Sequence, residues 1–214
     1  MCNCENVEVG ELVSINGLDE LSSSKLPSPI LLNFFKDLEN REIWIDFDIT
    51  EGLIEFEKYI IRWNKEDKGI DAKDRKPIKL FIYSYGGDVD AIMSFIDIVK
   101  ISKTPVYSYN MGQALSAGAL LFIAGHRRFA MPGSQVLIHS GGVNGIGGET
   151  NSVIEAVDNI KKIQKIIETF IIDNTQIDKK TYTKFSKKEW YISVDDGLKY
   201  GIIDEVITDI DMLI

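Results

Sequence analysis

Apolar and polar positions along this chain switch between two periods, and each switch marks an element. Alternation over residues 42–48 and short β-branched or aromatic runs over 78–83, 106–109, 128–130 and 135–139 predict strands. Helical spacing takes over between them. Residues 30–38 read as a short amphipathic helix, and Leu53, Ile54, Phe56 and Ile60 mark one over 51–63 with Thr50 as its N-cap. Val89, Ile92, Phe95, Ile96 and Val99 mark another over 89–101. Ser152 and Glu155 form a capping box. The helix it opens carries Val153, Val157, Ile160, Ile163, Ile167, Phe170 and Ile171 along one side for about six turns. Segments 182–185 and 190–193 precede a last helix over 194–200, closed by Gly201, and 202–207 is the final strand. Strand–helix alternation with short links predicts an α/β fold with a mostly parallel sheet.

The stretch 112–124, Gly-Gln-Ala-Leu-Ser-Ala-Gly followed by an apolar run, holds one hydroxyl residue, Ser116. Following the strand at 106–109, it reads as a tight turn into a buried helix. Ala-x-Ser-x-Gly is one residue away from the G-x-S-x-G elbow, whose small flanks let the backbone turn sharply under a nucleophile. A helix start also offers unpaired N–H groups to an oxyanion. An N-cap serine would fit the same pattern. A serine nucleophile needs a base, and the chain has two histidines. His126 sits in the basic turn Gly125-His126-Arg127-Arg128 and reads as a solvated loop residue. His139 ends a buried strand beside a glycine-rich stretch, where α/β proteins place chemistry.

Composition narrows the partners. A net charge of −9 and pI near 4.8 argue against nucleic acid and anionic membrane. The N-terminus lacks the regions of a signal peptide, and no apolar run reaches the length of a membrane span, so a cytoplasmic protein is expected. Cys2 and Cys4 are the only cysteines; without two further ligands they suit a reduced tail, and no metal is expected. Residues 1–29 have weak periodicity and end in a Ser/Pro cluster, which reads as a flexible arm with one short strand at 11–15.

Four motifs occur in order: Ser84-Tyr85-Gly86-Gly87, Gly112 to Gly118, Pro132-x-x-x-Val136-Leu137-Ile138-His139, and Asp196-Gly197-Leu198-Lys199-Tyr200-Gly201-Ile202-Ile203-Asp204. Their order and spacing resemble the proteolytic subunit of the Clp protease, a self-compartmentalised serine peptidase on a ClpP/crotonase-type fold. The resemblance covers about residues 30–207. It implies that Ser116 is the nucleophile, His139 the general base and Glu189 the triad acid, with the backbone N–H groups of Gly87 and Ala117 as the oxyanion hole. It also implies a peptidase domain over 30–214, with a projecting handle at about 140–174 through which two seven-membered rings stack as a tetradecamer. Residues 1–29 would be an axial gate. The glycine-rich strand 141–148 would hold peptide in extended form through its backbone. The chain has no G-x-x-x-x-G-K-[ST] loop. The resemblance therefore implies no cofactor here, and a separate Clp/Hsp100-type ATPase that uses ATP to unfold protein substrates.

This sequence departs from the family pattern at three positions near the site. Glu189 stands where aspartate is usual, Lys188 where arginine is common, and Tyr85 where proline precedes the glycine pair. These departures suit an alternative, a weak or inactive structural subunit that co-assembles with an active paralogue. A crotonase-type acyl-CoA enzyme shares the paired-glycine turn but offers no role for Ser116 with His139.

Overall fold

The computed structural model describes residues 28–142 and 146–214, so all of the arm but Ser28 and Pro29, the strand at 11–15 and the middle of the glycine-rich stretch lie outside the described residues. These residues fall into two compact units that divide between Glu42 and Ile43. The described part of the first is helix α1 (Pro29–Glu39). Pro29 occupies its first turn, where a missing N–H costs nothing, and the Ser28 hydroxyl accepts from Leu31 N at 3.2 Å.

The second unit is a sheet with helices. Its elements are β1 (Glu42–Ile45), which begins at the division, then α2 (Ile54–Glu66), β2 (Ile78–Ser84), α3 (Val89–Ile101), β3 (Val106–Leu115) and α4 (Ala117–Ala124). There follow β4 (Arg127–Ala130), β5 (Gln135–Ile138), α5 (Thr150–Asn174), α6 (Lys179–Phe185), β6 (Trp190–Ile192), α7 (Val194–Lys199) and β7 (Glu205–Val206). The sheet runs β1-β2-β3-β4-β7, and a branch leaves β3 through β5 to β6. β2–β3, β3–β4, β3–β5 and β4–β7 are parallel; β5–β6 is antiparallel. The predicted mostly parallel α/β fold is the observed one.

The branch comes from β3, which runs six residues beyond the predicted end at Tyr109. Its first half pairs β2 and β4 and its last residues pair β5, with a bulge where the β2 register jumps from Ile82↔Asn110 to Ser84↔Ala114. Asn110 and Gly112 look like strand breakers in the sequence. Instead the buried Asn110 side chain holds the bend, donating to Gln135 O at 2.9 Å and accepting from Gly112 N at 3.0 Å. This stitching carries β3 sideways to β5.

The core lies under one face of the sheet. All eight residues of α4 are buried, as are Ile92, Phe95, Ile96 and Val99 of α3. Asp88 caps α3 by accepting from Ala91 N at 2.9 Å. The other face of β1–β4 is tiled by aromatic rings: Trp44 on Phe81 (centroids 4.3 Å apart), Phe81 by Tyr109 (4.9 Å) and Tyr109 on Phe129 (4.8 Å). Each such pair adds about 0.5–1.5 kcal/mol beyond burial.

Several local expectations change. Thr50 makes no side-chain cap; residues Glu51–Leu53 form a 3₁₀ turn ahead of α2. The buried face of this segment follows Leu53, Glu57, Ile60 and Trp63, and Ile54 is exposed. Helix α5 starts at Thr150, with Ser152 already in its first turn, so the capping box does not form. Glu149 is its N-cap and its carbonyl accepts from Val153 N at 3.1 Å. Residues 182–185 belong to α6, capped by Asp178. The apolar run 202–207 is strand only at Glu205–Val206: Ile202 and Ile203 are buried but both bond back to Gly197 O, which closes α7 instead of extending the ladder. The long helix spans about 37 Å at 1.5 Å per residue, and only Phe170 and Ile171, near its C-terminal end, are buried.

Candidate active site

Parallel strands of one sheet end on the same edge, and loops at that edge converge. Here β2 ends at the Gly86-Gly87 turn, β3 at Ser116 and β5 at His139. Ser116 lies between β3 and α4 with φ 55° and ψ −119°. A non-glycine residue there is strained by about 1–3 kcal/mol. Three hydrogen bonds hold it: its N–H donates to Leu137 O at 2.9 Å, and its C=O accepts from Ala119 N at 3.0 Å and Leu120 N at 3.3 Å. The strain lifts the side chain off the helix. Ser116 occupies the N-cap position of α4, yet its hydroxyl makes no cap bond. Ser116 Oγ lies 2.7 Å from His139 Nε2 instead.

The turn after β2 packs directly against this elbow. Gly86 has φ 105°, and a Cβ there would meet Leu115 O and Ser116 Cβ, each at 2.8 Å. Gly87 has φ 146°, and a Cβ would collide with the Ile49 carbonyl. Ile49 brackets it, donating to Gly86 O at 2.7 Å and accepting from Asp88 N at 2.8 Å. The N–H of Gly87 therefore stays outside that bridge. Ala117 is the first residue of α4, so its N–H has no partner within the helix. Ser84 pins the turn from below: its hydroxyl donates to Phe47 O at 2.8 Å and accepts from Gly86 N at 3.2 Å.

Glu189 is brought close by register. The β5–β6 ladder pairs Val136↔Ile192, Leu137↔Tyr191 and Ile138↔Trp190, and Glu189 and His139 are the residues that directly flank its last pair. The carboxylate itself turns elsewhere, accepting from the Tyr191 hydroxyl at 3.3 Å. Among the described residues no hydrogen bond joins it to His139. The Glu189 charge raises the pKa of Tyr191, so that phenol keeps its proton as donor. His126 lies at the start of the strands, on the opposite edge of the sheet. Its Nδ1 accepts from Val106 N at 2.9 Å, and packing around the ring lowers its pKa. It is exposed in the bend between α4 and β4, as the sequence predicts for a loop residue, and its ring nitrogen also anchors the start of β3.

Ser84, Asn110, Ile49 and the Leu137 carbonyl support the site; the sequence motifs include Ser84 and Leu137, but sequence reasoning assigned none of the four this role. Each works through a partner distant in the chain, so no local signal announces it.

The Clp protease family model matches residues 70–209 of this chain. Over 173 residues the chain is 32% identical to the ATP-dependent Clp protease proteolytic subunit 2 of Treponema denticola, covering 80% of this chain and 84% of that protein. It is 28% identical over 176 residues to the protein of the same name from Treponema pallidum, covering 81% and 85%. With its parallel sheet of the ClpP/crotonase type and these relatives, the chain belongs to the Clp protease family.

Proposed function

We propose that this chain is a serine endopeptidase subunit. One observation carries the proposal: a strained serine hydroxyl 2.7 Å from a histidine nitrogen, beside two backbone N–H groups that no helix or strand claims. Ser116 attacks the scissile carbonyl while His139 Nε2 takes its proton, and the imidazolium then returns that proton to the leaving amine. Gly87 and Ala117 N–H hold the tetrahedral oxygen, each donor worth about 3 kcal/mol of barrier. Water then attacks the acyl-enzyme with His139 again as base. Glu189 completes the triad when its carboxylate turns from Tyr191 to His139 Nδ1.

Membership of the family extends the proposal to assembly. The subunit stacks in two seven-membered rings as a cytoplasmic tetradecamer and takes unfolded protein from a Clp/Hsp100-type ATPase. The exposed residues Ile154, Val157 and Ile166 along α5 suit such a contact. A fluorophosphonate probe tests the chemistry. It is expected to label the protein at Ser116, and Ser116→Ala is expected to abolish labelling and lower peptide turnover at least about a thousandfold. A second reading, an inactive structural subunit, is favoured by the Glu189–Tyr191 bond. Intact oligomers that take up no probe would select it.

A further inference from the structure

The edge of the sheet opposite the catalytic loops is also built up. There the α2–β2, α3–β3 and α4–β4 loops meet around an open cavity of about 700 Å³. Arg75, Lys103, His126 and Arg127 line it, and Asp71 is the one acidic residue in its walls. Three cations around one cavity stand out in a chain of net charge −9. The peptidase chemistry uses none of these side chains.

Hydrogen bonds within the chain hold these walls in place. Asn64 fixes the α3–β3 loop: its Oδ1 accepts from Lys103 N at 2.9 Å and Thr104 N at 3.1 Å, and its Nδ2 donates to Ser102 Oγ at 2.7 Å. Arg75 is pinned on two sides, donating from Nε to Ile70 O at 2.9 Å and from Nη1 to Thr104 Oγ1 at 3.3 Å. That hydroxyl belongs to a fully buried residue and itself donates to Asp67 Oδ2 at 2.7 Å. Arg127 lies over the Phe129 ring, 4.8 Å from its centroid, and donates to Glu205 at 2.8 Å. His126 Nδ1 accepts from Val106 N, which leaves the proton of the neutral ring on Nε2 as a donor.

Donors are left over. Among the described residues no carboxylate pairs with Arg75 or Lys103, and Arg75 Nη2 and His126 Nε2 make no hydrogen bond. Arg75, Lys103 and His126 come from three separate loops, so their donors approach the cavity from different sides. Three donors so placed suit the tetrahedral oxygens of a phosphate better than the two coplanar oxygens of a carboxylate. Asp71 repels further negative charge, which favours a monoester over a polyphosphate. Ile70, Pro105 and Tyr107 add apolar wall beside the cations. We propose that this cavity binds a small phosphate monoester, with its phosphate on Arg75, Lys103 and His126 and its organic group against Ile70, Pro105 and Tyr107.

Titration calorimetry of the full chain with phenyl phosphate, benzoate and inorganic phosphate tests this. Phenyl phosphate is expected to saturate one site per chain and to bind more tightly than either of the others. Lys103→Met should weaken it at least about tenfold, whereas Lys103→Arg keeps a cation and should keep the affinity within a few-fold. The Lys103 side chain is exposed and its loop is held through the backbone, so both variants should unfold at the wild-type urea midpoint. No saturable binding of phenyl phosphate, equal binding of benzoate or of inorganic phosphate, or wild-type affinity in Lys103→Met overturns the site. The site stands apart from the peptidase reading: a protein that takes up no fluorophosphonate would refute that reading and leave this measurement decisive.

Discussion

A neutral imidazole accepts a hydroxyl hydrogen bond at Nε2 only when its proton sits on Nδ1. The Ser116–His139 distance of 2.7 Å thus sets the demand on Glu189, because whatever holds Nδ1–H decides how often the ring is in the useful tautomer. The Glu189 carboxylate accepts from Tyr191, and in the proposed triad it would accept from His139 Nδ1 instead. Removing the competitor favours His139. Accordingly Tyr191→Phe should not lower kcat, while Glu189→Gln should lower it at least about tenfold; steady-state kinetics on one peptide measures both. A Glu189→Gln variant with unchanged kcat would remove the residue from the triad.

At the scale of elements, the bend in β3 is what lets one strand serve both halves of the sheet. The first half of the strand is locked between β2 and β4, and its last three residues align Ser116 with β5. Asn110 is 0% exposed and satisfies a carbonyl of one neighbour and an N–H of its own strand. Asn110→Ala takes this partner from two part-buried groups, the Gln135 C=O and the Gly112 N–H, a loss of about 1–3 kcal/mol. Urea unfolding should show that loss, and peptidase activity should fall further than stability alone explains, because the Ser116 elbow shifts with β5. Helix α5 shows the opposite case. Its apolar stripe is plain in the sequence, but among the described residues only Phe170 and Ile171 of it are buried.

For the whole molecule, assembly and acid stability are the accessible measurements. Light scattering should give a mass many times the 24.1 kDa of one chain, and a strict monomer would refute the ring proposal. Packing around His126 lowers its pKa below the ordinary 6.5. In the window between the native value and 6.5, the unfolded chain binds more protons than the folded one, so stability rises with pH there and is lost as pH falls. His126→Asn keeps an acceptor for Val106 N but cannot titrate. The difference in unfolding free energy between wild type and this variant should therefore change across that window and be constant above it.

Several features of this protein are written in short stretches of chain. The α3 stripe from Val89, the Asp88 cap, the paired glycines and the small flanks of Ser116 act on neighbours within a few residues, so spacing reveals them. The order of motifs was enough to place the chain near its family. Other properties depend on how distant segments register. Ser116 and His139 are 23 residues apart in the chain, and their contact needs the β3 bend, the β3–β5 pairing and the Leu137 carbonyl together. The same holds for the buried Glu57 in the stripe of α2, for the Tyr191 hold on Glu189 and for the Tyr83–Tyr85 ring pair at the end of β2. A local pattern sets which face or turn a residue prefers. Only the packed sheet sets hydrogen-bond distances between strands, because those depend on register and side-chain rotamer, which no single segment encodes.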